Sequence, residues 1–191
     1  MIEMNIKSVA LRWDFSFFAV LALFFWLDRS GFGVTALSIC AAHELAHLAV
    51  MKCCGIPVES VTFYGAGIRI TAPLTEMRSP AVQAAVYCAG CVMNFLLAGV
   101  LFGCGQYNAA AVSLFSGIFN LLPVGEFDGR KLLRLLFTHS LPAERIDSAL
   151  YVCGVISVLV GSAAVFVIGK GASITLVSTM AYLIVMSLKK M

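Results

Sequence analysis

Charged side chains are scarce in this sequence. Only 12% of its 191 residues are Asp, Glu, Lys or Arg, about half the share usual in a water-soluble domain. No stretch is polar enough to form a soluble domain of its own. The basic residues do not cluster with aromatics, which excludes a nucleic-acid-binding surface. Nor is there a disulfide framework. The seven cysteines are odd in number and lie mostly in apolar runs, so they read as reduced, small apolar residues. Cys88 and Cys91 form a C-x-x-C without a second pair nearby, which argues against a zinc or redox role for them. Internal repeats and low-complexity segments are also lacking.

Apolar residues are what the chain has. They make up 61% of it, and the mean hydropathy is +0.96, values that point to a polytopic membrane protein. Six apolar segments stand out: Trp13–Leu27, Gly33–Met51, Pro80–Gly103, Ala109–Leu122, Ile146–Ile168 and Ala172–Leu188. A full span takes about 20 residues, so the first and fourth are short. Trp13 and Trp26 are expected to anchor the first at the two interfaces. Lys7 and Arg12 precede it as in a signal peptide, but no small-x-small cleavage site follows, so retention as the first span is expected.

Charge sidedness fits six spans with both termini in the cytoplasm. Every Lys and Arg then lies on the inner side except Arg29 and Lys170, as the positive-inside rule requires. Between the second and third spans, Pro57 to Pro73 is rich in β-branched and aromatic residues around Gly65-Ala66-Gly67. It predicts a short β-hairpin near the cytoplasmic interface. Residues 129–147 read as a cytoplasmic connection containing a short amphipathic helix. The fold class expected is an all-α polytopic membrane protein of about six helices with this one hairpin.

Only three histidines occur, and two of them lie in the middle of the second apolar segment, in His43-Glu44-Leu45-Ala46-His47. Ionisable groups at such a depth cost at least ~2.5 kcal/mol each, so they are functional candidates by default. His43 and His47, four apart, share one helix face and can grip one ion. Glu44 sits beside them, placed to activate water. A catalytic zinc takes three protein ligands and keeps one position open. Asp128 is the best third ligand, in Asn120-Leu121-Leu122-Pro123-Val124-Gly125-Glu126-Phe127-Asp128-Gly129. Two neutral imidazoles, one carboxylate and a hydroxide balance Zn²⁺ where net charge is costly. Glu126 is the competing ligand. The Asn-Leu-Leu-Pro run reads as a helix broken inside the bilayer, which survives where freed backbone groups find protein partners.

These motifs together resemble the site-2 protease family of intramembrane zinc metalloproteases. The segment Ala89-Gly90-Cys91-Val92-Met93-Asn94 is similar to that family's helix between the two motifs. Within the family the pattern is most similar to the sporulation subgroup that processes a pro-sigma factor. The resemblance implies one metalloprotease domain over residues 1–191, without PDZ or CBS domain, in a bacterial cell membrane. It implies His43, His47 and Asp128 as ligands of one zinc and Glu44 as the catalytic base. Asn120 or Asn94 would hold substrate or oxyanion, and the hairpin at Gly65 and Gly67 would take an unwound substrate as an added strand. The implied partners are the lipid bilayer, a transmembrane or membrane-associated protein substrate such as a pro-sigma or anti-sigma factor, and membrane inhibitors or regulators. Two rival readings are a prenyl-protein or heat-shock type membrane zinc protease with a Glu third ligand, and a metal-binding transporter.

Overall fold

The computed structural model describes residues 1–6, 9–28, 31–65, 67–73, 79–138 and 140–168. They fall into two compact units, one running to Gly117 and one from Ile118 onward. The first unit opens with strands β1 (Ile2–Ile6) and β2 (Val9–Trp13), then helices α1 (Phe15–Leu27) and α2 (Phe32–Cys53). Strands β3 (Ser60–Tyr64) and β4 (Gly67–Thr71), helix α3 (Pro80–Gly103) and most of α4 (Tyr107–Asn120) follow. The second unit holds α5 (Asp128–Phe137) and α6 (Ala143–Ile168).

The hairpin expected between residues 57 and 73 is β3–β4, paired antiparallel from Ser60↔Thr71 to Tyr64↔Gly67. It is half of a larger sheet. The order is β1-β2-β3-β4, with β1–β2 antiparallel and β2 parallel to β3. The all-α expectation is corrected accordingly. Residues 2–6 and 9–13 form two strands where a charged flank to the first span was expected, and Trp13 belongs to β2 rather than to the span. Its indole stacks on Phe63 with centroids 5.6 Å apart, and Phe17 of α1 meets the same ring at 5.4 Å. One aromatic cluster therefore fixes α1 to the sheet.

Asp14 joins strand to helix. Its carboxylate accepts from both the backbone N–H and the hydroxyl of Ser16, at 2.8 and 2.6 Å. Those bonds, the hydroxyl's first, hold its carboxyl below the ordinary carboxylate range. The Ser16 hydroxyl in turn accepts from the backbone N–H of Gly65 at 2.9 Å.

Length separates the helices. α1 has 13 residues and α4 has 14, about 20 Å each at 1.5 Å per residue, against a hydrocarbon core of about 30 Å. Among the described residues, Gly33–Cys53 and Pro80–Gly103 are long and apolar enough to cross a membrane. The six-span expectation is thus met at two segments. The last segment, Ala172–Leu188, lies outside the described residues. α3 starts as its sequence dictates: Ser79 caps it by accepting from Val82 N–H at 3.2 Å, and Pro80 occupies the first turn.

Among the described residues, α2 and α3 make the most extensive helix pairing. At its sheet end Met51, Ile56 and Val86 are buried together, with Ile70 of β4, Val58 and Tyr87 packed around them. Burying such side chains contributes about 1.5–3 kcal/mol each. This cluster sets the depth and rotation of α2 against α3, and with them the position of the histidines.

In the second unit the helix does break after Asn120. Leu121 and Leu122 N–H donate to the carbonyls of Ile118 and Phe119, and Phe127 N–H donates to Val124. The amides around Pro123, which has no N–H to offer, are therefore satisfied locally. Val124 is 1% exposed and packs with Leu122 and Phe127. Gly129 lies where a Cβ would run into the Leu121 backbone carbonyl. Backbone cannot swing aside as a side-chain tip can. Gly129→Ala is expected to destabilise the fold by about 1–3 kcal/mol, read as a lower unfolding midpoint in an SDS titration of detergent-solubilised protein. An unchanged midpoint would show that the turn yields.

Candidate metal centre

His43 and His47 are one turn apart on α2 and turn to the same side. Their Nε2 atoms are 3.1 Å apart, and the residues are 4% and 7% exposed. The second nitrogen of His47 is spoken for: Nδ1 lies 2.7 Å from the Val86 carbonyl oxygen of α3. A carbonyl only accepts, so Nδ1 carries the proton and Nε2 presents its lone pair. That is the tautomer a metal needs.

Asp128 opens α5 as its first residue, where the helix dipole favours a carboxylate. It is buried, and the exposed Lys131 approaches its Oδ1 at 3.5 Å, a long ion pair. His43, His47 and Asp128 each offer one ligand atom, and these atoms lie within 4.8 Å of one another. Two imidazole nitrogens and a carboxylate oxygen are the donor set zinc takes at catalytic sites.

The space between them is kept by α3. A Cβ at Gly90 would fall against Nε2 of both His43 and His47, closer than real Cβ contacts come. The glycine leaves room where an ion would sit, and the donor set fits zinc. Glu44 is half-buried on α2 beside the pair, outside the cluster of ligand atoms.

The other sequence candidates are placed differently. Asn94 is wholly buried, with its amide 3.1 Å from both His43 Nδ1 and the Ser116 hydroxyl. Asn120 ends α4 and is half-buried. Gly65 and Gly67 flank the β3–β4 turn, and β4 lies at the edge of the sheet. The sequence reading missed the Val86 carbonyl, Ser113 and Ser116. Ser113 donates to the Asn94 carbonyl at 2.8 Å. Their spacing with Gly117, three polar or small positions on one face of α4, was the available signal.

Residues 104–161, which include Asp128 and the broken segment before it, match the family model described as Peptidase family M50. Over this segment the chain is similar to peptidase family M50. Two curated relatives, each named "Putative zinc metalloprotease Rip3" and each from a strain of Mycobacterium tuberculosis, are 33% identical to it over 129 residues. The alignment covers 59% of this chain and 32% of each relative, so the chain spans about a third of the length of the curated relatives it matches. The fold of the chain is that of the site-2 protease from Methanocaldococcus jannaschii. The two superpose with a TM-score of 0.72 at 17% identity, over 99% of this chain and 94% of that one.

Proposed function

We propose that this chain is a zinc metalloprotease that works within the membrane and cleaves a transmembrane or membrane-associated protein near the cytoplasmic face. The observation that carries the reading is the meeting of His43, His47 and Asp128, all buried, with ligand atoms within 4.8 Å. The M50 match over the Asp128 region supports it, as does the name of the Rip3 relatives. Neither name points to sporulation, and the proposal is accordingly for a membrane-protein substrate without a subgroup.

Zinc, when bound, supplies the Lewis acidity that makes a nucleophile of water at neutral pH and stabilises charge on the scissile carbonyl. The chain's residues do the rest. Glu44 takes a proton from the attacking water and returns it to the leaving amine. Asn120 holds the substrate carbonyl. A helical substrate hides its carbonyls in its own hydrogen bonds and must unwind. The β4 edge beside Gly65 and Gly67 then receives it as a further strand. The helices around the histidines exclude bulk water, which strengthens each of these interactions.

Metal analysis tests the reading. Purified wild-type chain is expected to hold one zinc, Asp128→Asn to lose it, and Glu126→Gln to keep it. Zinc lost only in the Glu126 variant would move the third ligand and favour the prenyl-protease type. No zinc in wild type would end the proposal.

A further inference from the structure

The two histidines differ in what holds their outer nitrogens. His47 donates Nδ1–H to a backbone carbonyl, a partner that can only accept. His43 faces the side-chain amide of Asn94, which can do either. A carboxamide has nearly the same shape with its oxygen and nitrogen exchanged, so the end facing His43 is decided by chemistry rather than by fit.

We propose that Asn94 is the positioning residue for His43, presenting its side-chain oxygen to Nδ1–H, with the Ser116 hydroxyl donating to the same oxygen. The argument rests on the zinc reading above. When His43 Nε2 is a ligand, the proton of the neutral imidazole sits on Nδ1. An NH₂ facing it would set donor against donor at direct contact distance, 3.1 Å. Asn94 is 0% exposed, and its Oδ1, placed away from His43, has no hydrogen-bond partner. Turning the amide brings that oxygen onto His43 Nδ1 and Ser116 Oγ, each 3.1 Å from the atom now there. As placed, the oxygen end lacks a hydrogen-bond partner and the turn gives it two, so the end that meets His43 decides. Asn94 is held for this task. Ser113 donates to its backbone carbonyl at 2.8 Å, and Gly117 of α4 lets the helices approach, since a Cβ there would come 3.2 Å from the Asn94 Cβ.

The role differs from donating to substrate, and the difference is measurable. Zinc affinity of the full chain in detergent would be read by competition with a chromophoric chelator for wild type, Asn94→Asp and Asn94→Leu. The Asp variant keeps an oxygen toward His43 and is expected to bind zinc within about threefold of wild type. The Leu variant, matched in size, is expected to bind about 10–100-fold more weakly, as loss of a supporting partner does. Zinc-loaded wild type with an unweakened Leu variant overturns the inference alone, and so does an Asp variant weakened tenfold, because a role as N–H donor predicts that loss. Wild type without zinc overturns the metal reading itself. If the Leu variant does not fold, the Asp variant decides by the same margins.

Discussion

Replacing Glu44 by Gln is expected to cut peptide cleavage by about 10²–10⁴-fold or more while leaving zinc and fold in place. Gln has the same shape as Glu and cannot take up a proton. Glu44 lies on α2 next to His43, yet its carboxylate is outside the group of ligand atoms formed by His43, His47 and Asp128. Removing its charge therefore leaves the metal's donors intact. The measurement is cleavage of a model transmembrane substrate in detergent, scored by mass spectrometry, beside zinc content of the same preparation. Wild-type turnover by this variant would remove Glu44 from the mechanism. Loss of zinc along with activity would recast it as a ligand.

Gly90→Ala is expected to weaken zinc binding by at least about 10–100-fold. Two effects oppose each other here. Alanine favours a helix over glycine by about 1 kcal/mol, so α3 itself gains. Against that, the new methyl would occupy the space in front of both Nε2 atoms. The rings cannot retreat, because His47 is tied to the Val86 carbonyl and His43 faces Asn94. The variant should thus fail to hold metal, with strain between α2 and α3 offsetting what the helix gains. Gly99→Ala supplies the control, since a Cβ there meets nothing within 4 Å on the same helix. It should gain the helix preference and keep its zinc. Equal zinc affinity in the Gly90 and Gly99 variants would show that the glycine serves helix packing only.

The metal triad was legible in the sequence because its signals were local and costly. His43 and His47 are a helical turn apart, and charge in an apolar run demands a reason. Asp128 was reachable because Pro123 breaks the helix ahead of it. The β3–β4 hairpin was legible for the same local reason: β-branched residues on both sides of Gly65-Ala66-Gly67. β1 and β2 were not. Ile2-Glu3-Met4-Asn5-Ile6 does alternate, but five residues are a weak signal, and Lys7 and Arg12 fit equally well as a positive flank. The bond that makes them a sheet is the parallel pairing of Ala10–Trp13 with Ser60–Phe63, across almost fifty residues, and no local pattern encodes it. Gly90 was noticed as part of a motif, but a glycine on a helix does not announce what its missing side chain leaves room for. That takes the partner helix.

The parallel pairing of β2 and β3 has a topographic corollary. Trp13 and Ser60 lie in one sheet, so the polypeptide that leaves at Trp13 and returns at Ser60 traverses the lipid an even number of times. Whatever the length of α1, strands β1 and β2 and the β3–β4 hairpin share one side of any membrane that α2 crosses. A bulky fusion partner at Met1 would extend from β1, the edge of the sheet opposite β4, and is expected to leave the β4 edge open.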